Sequence, residues 1–107
     1  MGYINKSGIL EWNRANIDTV SATCGVYILR DSLRAFIYIG LSETSLRDRL
    51  LAHFNSNDIP NVVFFDWYQT SDAINARSLE QAWIARYKPT YNENLKWKKA
   101  IMKVRKK

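Results

Sequence analysis

Two short apolar runs separated by a charged turn constrain this fold more than any other part of the chain. They lie in CGVYILRDSLRAFIYIG, residues 24–40, with Tyr27 in the first run and Tyr38 in the second. β-Branched and aromatic residues favour strands, and the intervening DSLR is short enough for a tight loop. The segment therefore predicts a β-hairpin in which the two tyrosines lie at matching positions. Gly40 is expected to end the second strand at a sharp turn, where the absence of a Cβ frees the backbone.

Three further elements follow the hairpin. TSLRDRLLAHF has apolar residues at helical spacing behind a Thr/Ser cap, which predicts an amphipathic helix. VVFFDWYQ is typical of a buried strand, and the segment from TSDAINARSLEQAW onward predicts a helix that Pro89 ends. GILEWNRANIDTV, residues 8–20, predicts a short N-terminal helix. This order favours an α/β fold of the α+β sandwich type, with a small, mostly antiparallel three-stranded sheet flanked by helices.

The length of 107 residues allows one hydrophobic core and hence one domain. We assign residues 1–94 to this domain, including the N-terminal helix, and residues 95–107 to a basic C-terminal tail or helix. One cysteine and one histidine exclude an internal disulfide and a zinc site of Cys/His type. No apolar segment approaches the roughly 18 residues of a membrane span, so a soluble cytoplasmic protein is expected.

The charge of the chain indicates a polyanionic partner. Sixteen Lys and Arg residues against ten Asp and Glu residues give a net charge of +6, and the end of the chain, KWKKAIMKVRKK, contains no acid. Such a basic segment suits phosphate contacts, with a tryptophan available for stacking, and it would equally suit a solubilising tail. Nucleic acid is the first expected partner, and an anionic membrane surface the alternative.

Glu80 interrupts an apolar helix face. Ala76, Trp83 and Tyr87 share that face at helical spacing, and Glu80 lies between them. A carboxylate that loses water costs several kcal/mol unless a cation or hydrogen-bond donors compensate it. Two interpretations follow: Glu80 pairs at the rim with an arginine such as Arg77, or it is a metal ligand lining a cleft.

Arg49 and His53 lie four residues apart and therefore stack on one face of the preceding helix. A guanidinium fork suits two phosphate oxygens, and an imidazole beside it can donate to phosphate or take part in proton transfer. An ordinary solvated pair on a helix surface is the alternative interpretation.

Together these motifs resemble the GIY-YIG nucleases. GVY at residues 25–27 stands for the first motif, with valine replacing isoleucine, and YIG at 38–40 matches the second. Many members carry an arginine and a histidine four residues apart in the next helix, then a glutamate in a later helix and a P-x-Y-N turn. LRDRLLAHF, Glu80 and KPTYNEN match these, so the resemblance covers roughly residues 24–94. The chain is similar to compact bacterial members such as the nuclease domain of UvrC.

The resemblance implies a role for each matched residue. The catalytic set would be Tyr27, Tyr38, Arg49, His53 and Glu80, with Glu80 as the ligand of one Mg²⁺ or Mn²⁺. Gly25, Gly40 and Asn92 would give structural support, Asn92 by attaching the end of the last helix to the hairpin. Arg47, Lys88, Lys96, Trp97, Lys98 and Lys99 would contact nucleic acid.

A divalent-metal-dependent DNA endonuclease is the function that this resemblance implies. Arg49 would bind the scissile phosphate, and the metal would stabilise the leaving 3′ oxygen. Tyr27 would act as general base, with Tyr38 or His53 hydrogen-bonding to the water or the phosphate, and Tyr38 is the alternative base. Because an unperturbed tyrosine has a pKa of about 10, Arg49 and the metal would have to lower the pKa of Tyr27. The alternative is a noncatalytic nucleic-acid-binding module of the same fold. Without a separate targeting domain, a homodimer or a targeting partner protein would supply specificity, and no membrane partner is expected.

Overall fold

The predicted hairpin lies at the centre of an antiparallel sheet. The computed structural model describes residues 2–93 and 95. Along this part of the chain the elements are β1 (Asn5–Lys6), β2 (Leu10–Glu11), α1 (Arg14–Ile17), β3 (Gly25–Arg30), β4 (Phe36–Ser42), α2 (Leu46–Ser56), β5 (Phe64–Gln69) and α3 (Ala73–Tyr87). The order of the main elements is the predicted one.

The sheet confirms the predicted fold class and is wider than predicted. Its strand order is β1-β5-β3-β4, with β2 also paired to β5, and all the pairings are antiparallel. The three predicted strands form the core of the sheet. The two-residue strands β1 and β2 were not predicted, and both extend the sheet along β5.

The N-terminal helix is shorter than predicted. Only Arg14–Ile17 is helical, whereas Leu10–Glu11 of the predicted 8–20 segment forms β2. Asn13 caps α1, because its side chain accepts a hydrogen bond from the Asn16 N–H at 2.8 Å. Asparagine at such a position begins a helix rather than continuing one.

The two long helices pack on opposite faces of the sheet. Tyr27 and Leu29 of β3 belong to a core cluster with Leu46 and Leu50 of α2. The alternate β3 residues, Val26 and Ile28, lie in a second cluster with Ala76 of α3. Strand alternation thus points Tyr27 toward α2.

The two motif glycines provide space rather than a turn. Gly40 lies within β4, which continues to Ser42, and no described glycine has a positive φ. The expectation that Gly40 ends the strand at a sharp turn is therefore wrong. A Cβ on Gly40 would collide with the Tyr27 phenol, and one on Gly25 would collide with the Tyr68 carbonyl oxygen.

A closed network of charged and polar groups lies on the α3 side of the sheet. Arg30 donates two hydrogen bonds to Asp66, from Nε to Oδ1 at 2.7 Å and from Nη2 to Oδ2 at 3.1 Å. The Tyr68 hydroxyl also donates to Asp66 Oδ2. Asp66 is 2% exposed. These three residues are called the Asp66 network below.

The domain boundary at residue 94 stays a prediction, and the predicted tail beyond Leu95 lies outside the described residues. Within residues 2–93 and 95, no helix has the length and apolar character needed to cross a membrane.

Candidate active site

Three rings from three different elements meet beside α2. The ring centroids are 6.1 Å apart for Tyr27 and Tyr38, 5.6 Å for Tyr27 and His53, and 5.8 Å for Tyr38 and His53. Tyr27 is fully buried, and its hydroxyl lies 2.7 Å from His53 Nε2. Gly40 leaves the room that the Tyr27 phenol occupies. The two predicted tyrosines and the predicted histidine thus form one cluster.

His53 is connected to a residue that the sequence motifs did not indicate. Its Nδ1 lies 2.9 Å from Asp58 Oδ1 and 3.1 Å from Asp58 Oδ2. Asn57 ends α2 in the left-handed conformation, with φ of 50°, immediately before Asp58. Asparagine tolerates this conformation, which ends a helix and redirects the chain. In the sequence, only the asparagine at the end of the predicted helix indicated that the next residue, Asp58, could lie close to the last turn of that helix.

Burial dominates the electrostatics of both tyrosines. It raises the pKa of Tyr27 strongly, the neighbouring Tyr38 raises it further, and the Arg49 guanidinium lowers it without offsetting burial. Burial also raises the pKa of Tyr38, against a lowering effect of Arg49. Arg49 lowers the pKa of Tyr27, as expected, but the net shift is upward. The physical reason is that burial of the phenol disfavours the charged phenolate.

Arg49 lies at the solvent side of the cluster. It is exposed, and its charge acts on both tyrosines. The structure thus places Arg49 near the two rings, on the same helix as His53.

Glu80 lies on α3 within electrostatic reach of the same rings, since its charge raises the pKa of both Tyr27 and Tyr38. The Glu80–Arg77 pair considered above does not form. Arg77 instead donates from Nε to Glu43 Oε2 at 2.6 Å on the surface. In the part of the chain that the structure describes, no cation or donor compensates the Glu80 carboxylate, and burial raises its pKa.

The surroundings of Glu80 fit a hard divalent cation. No group of three or more His, Cys, Asp or Glu side chains comes together among the described residues. A cation held by this single carboxylate would take its other ligands from water and from phosphate oxygens. Mg²⁺ keeps several waters and commonly binds one or two carboxylates plus a substrate phosphate.

Asn92 bonds to the edge of the sheet. Its Oδ1 accepts a hydrogen bond from the Ile39 N–H at 2.7 Å, and its Nδ2 donates to the Ile39 carbonyl at 3.1 Å. Asn92 thereby pairs with β4 as a neighbouring strand would. The adjacent Tyr91 packs edge-on against Tyr38, with 5.8 Å between ring centroids.

The remaining predicted residues lie on the surface or outside the described part. Arg47 is exposed and donates from Nε to the Val20 carbonyl at 3.0 Å. Lys88 is exposed at the C-cap of α3. Lys96, Trp97, Lys98 and Lys99 lie outside the described residues.

Comparison with known proteins identifies the family to which this architecture is similar. Residues 23–93 match the family model of the UvrC-like GIY-YIG domain. The UvrABC system protein C of Treponema denticola is 37% identical over 81 residues, which cover 69% of this chain and 12% of that protein. The corresponding protein of Moorella thermoacetica is 34% identical over 79 residues, covering 67% of this chain and 13% of that protein. The chain therefore spans only a small part of the length of these relatives.

A solved structure shares the fold. The GIY-YIG N-terminal endonuclease domain of UvrC from Thermotoga maritima, bound to its catalytic divalent cation, magnesium, superimposes with a TM-score of 0.60. The match covers 73% of this chain and 92% of that domain at 24% sequence identity. At this identity the likeness shows a common fold.

Proposed function

This chain belongs to the GIY-YIG family as a UvrC-like domain, and from that premise we propose that it is a DNA endonuclease that depends on a divalent metal. One observation carries the proposal: Glu80, a partly buried carboxylate without a compensating cation or donor among residues 2–93 and 95, lies within electrostatic reach of the Tyr27 phenol. A carboxylate that only stabilised the fold would be expected to have a cation or donors.

Glu80 would hold one Mg²⁺ or Mn²⁺. When bound, such a cation supplies positive charge that stabilises the leaving 3′ oxygen of the phosphodiester. The magnesium of the Thermotoga maritima domain supports this choice. The half-buried setting keeps the carboxylate away from bulk water and strengthens its attraction for a cation.

Arg49 would bind the scissile phosphate. Its guanidinium is exposed and can present paired N–H groups to two phosphate oxygens. Because it lies beside the tyrosines, a phosphate bound there would lie next to the Tyr27 phenol.

Tyr27 would transfer the proton of the attacking water. With its raised pKa the phenol is protonated at neutral pH, so it can accept a proton only as it gives up its own. His53 Nε2, at 2.7 Å, is placed to receive that proton. As the water oxygen bonds to phosphorus, the water proton moves to the Tyr27 oxygen and the Tyr27 proton moves to His53. The P–O3′ bond breaks, and the leaving oxygen takes a proton from solvent.

The other predicted residues would assist. Tyr38, less buried than Tyr27, would hydrogen-bond to the water or the phosphate, and Asn92 would support β4 beneath it. Arg47, Lys88 and the basic segment beyond residue 95 would contact the DNA backbone. A homodimer or a targeting partner protein stays a prediction.

The test is metal-dependent cleavage by the wild type, Glu80→Ala and Glu43→Ala. Supercoiled plasmid, branched and single-stranded oligonucleotides are incubated with Mg²⁺ or Mn²⁺. We expect the wild type to cut at least one substrate, Glu80→Ala to lose cutting, and Glu43→Ala to keep it. Glu43 is the matched control, because it is an exposed glutamate already paired with Arg77. Equal DNA binding without cleavage by the wild type and Glu80→Ala would instead establish the noncatalytic binding module.

A further inference from the structure

The His53 imidazole has a defined partner at each ring nitrogen. Nε2 lies 2.7 Å from the Tyr27 hydroxyl, and Nδ1 lies 2.9 and 3.1 Å from the two oxygens of Asp58. A neutral imidazole carries one proton, so one nitrogen donates and the other accepts. Which nitrogen accepts decides whether the imidazole can take a proton from Tyr27.

The chemistry of Asp58 decides between the two forms. Burial raises the pKa of its carboxyl, but the hydrogen bond and charge of His53, together with hydrogen bonds from the Asp58 backbone and Ser56, outweigh burial, and the net pKa is lowered. Asp58 is therefore ionised at neutral pH and can only accept hydrogen bonds. A neutral His53 must then carry its proton on Nδ1, which leaves the lone pair of Nε2 free for the Tyr27 O–H.

We propose that Asp58 is a positioning residue, which holds His53 in the tautomer whose Nε2 accepts the Tyr27 proton. The inference deepens the proposed function and rests on it. After proton transfer, the Asp58 carboxylate would also face the imidazolium and stabilise its charge. Asp58 acts through His53 and does not touch the reacting phosphate.

Differences in burial distinguish this arrangement from an ordinary surface contact. The His53 side chain is 9% exposed, whereas the Asp58 side chain is 50% exposed. Water could satisfy Asp58 without His53, but the nearly buried imidazole depends on Asp58 for its Nδ1 partner. Removal of the carboxylate should therefore affect the histidine far more than the loop that carries Asp58.

The first test reads the tautomer directly. His53 is the only histidine of the chain, so ¹⁵N NMR of the imidazole reports on this ring without assignment. At a pH where the ring is neutral and without DNA or metal, we expect the Nδ1–H form in the wild type. Asp58→Asn should retain most of that form, since its amide oxygen still accepts, and Asp58→Ala should shift the ring toward a tautomer mixture.

Two further variants make this reading specific. Asp18→Asn is the matched control: Asp18 is 56% exposed, similar to Asp58, and its ion pair is with Arg14. It should leave the tautomer unchanged. Tyr27→Phe should also leave the Nδ1–H form in place, because Asp58 sets it. An unchanged tautomer in Asp58→Ala, or its loss in Tyr27→Phe alone, would overturn the proposal.

The second test follows cleavage at fixed pH. We expect kcat to fall about 10- to 100-fold in Asp58→Ala, and less in Asp58→Asn, with little change in KM, because only the proton transfer is impaired. If Asp58 had a purely structural role, kcat in the wild type, Asp58→Asn and Asp58→Ala would not follow the fraction of the Nδ1–H tautomer in the same three proteins. Absence of cleavage by the wild type would defeat the proposed function, whereas cleavage with an unchanged tautomer in Asp58→Ala would defeat the Asp58 inference alone.

Discussion

Each face of the sheet carries a tyrosine that contacts ionisable groups. The two groups of residues differ in how completely their charges are paired. In the Asp66 network, Arg30 makes two hydrogen bonds to a buried carboxylate that also accepts from Tyr68. On the α2 face, Tyr27 contacts His53, and His53 contacts the half-exposed Asp58. Glu80, near Tyr27, has no compensating cation within residues 2–93 and 95.

Burial raises the pKa of both tyrosines, yet the consequences differ. Tyr68 donates to a carboxylate whose charge is already paired with Arg30, so the group is complete without a ligand. Around Tyr27, His53 Nε2 lies 2.7 Å from the phenol hydroxyl, and the Glu80 carboxylate of α3, which has no cation or donor among the described residues, raises the pKa of the same phenol. A network in which every charge is paired stabilises the fold. A network with an unpaired buried charge lowers the stability of the fold and is typical of a functional site, where a ligand can neutralise that charge.

The largest effect on stability is expected from Asp66→Ala. It leaves the Arg30 side chain, 12% exposed, without the carboxylate that pairs its charge, and breaking a buried pair in this way costs about 3–5 kcal/mol. Urea unfolding should show this loss. Glu80→Gln, by contrast, removes an uncompensated charge and should leave the free energy of unfolding unchanged or raise it by about 0.5–1 kcal/mol.

The double variant Arg30→Met/Asp66→Leu is the control for Asp66→Ala, because it removes both charges together and should cost much less. A loss below about 1 kcal/mol in Asp66→Ala would show that water compensates Arg30, and the two faces would then not differ as described.

The second largest effect is expected on catalysis, from Tyr27→Phe. Without its hydroxyl the proton transfer to His53 is lost, and kcat should fall about 100- to 1,000-fold, equivalent to about 3–4 kcal/mol. Tyr68→Phe is the matched variant on the other face. It should lower stability by about 1–2 kcal/mol through its lost hydrogen bond to Asp66, with kcat per folded molecule unchanged. Equal effects on kcat would remove the functional distinction between the faces.

Sequence reasoning predicted what local periodicity encodes. The hairpin, α2, β5 and α3 each have a pattern within a few residues, and the fold class follows from their order. It did not predict β1 or β2, because each has two residues and pairs with β5 about 60 positions away. Short strands of this kind form through tertiary contacts rather than local propensity.

Within the site, the same limit applies to side-chain partners. Helical spacing placed Glu80 beside Arg77, but Arg77 bonds to Glu43, 34 residues away in sequence. Asp58 follows Asn57, which ends α2 in the left-handed conformation, and lies beside His53, 2.9 Å from its Nδ1. The sequence motifs therefore predicted which residues lie close together in the site, but their hydrogen-bond partners depend on the three-dimensional fold.

A smaller effect is expected from the two glycines, and its nature should differ between them. Gly25→Ala places a Cβ against the Tyr68 carbonyl, a backbone atom that cannot rotate away, so overpacking should cost about 1–3 kcal/mol of stability. Gly40→Ala meets the Tyr27 phenol, which can shift. Its stability loss should be smaller, and kcat should fall more than in Gly25→Ala. Urea unfolding and plasmid cleavage measure the two effects, and a larger kcat loss in Gly25→Ala would contradict this assignment.

The smallest effect concerns the contribution of Asp58 to the pH dependence of stability. Burial raises the pKa of the Asp58 carboxyl, but the contact with His53 and the hydrogen bonds from the Asp58 backbone and Ser56 together outweigh burial and lower the net pKa. A lowered folded-state pKa stabilises the protein above the unfolded value of about 3.9, and this contribution is lost as the pH falls through the folded value. Asp58→Asn should therefore be less stable than the wild type near pH 5.5, and the difference should shrink toward pH 3. Because Asp58 is half exposed, solvent screening keeps the difference below about 1 kcal/mol.

Asp18→Asn corrects for the loss of one surface carboxylate from a chain of net charge +6. A difference that grows on acidification would mean that the His53 contact does not favour the ionised carboxylate, and the tautomer assignment would lose its basis.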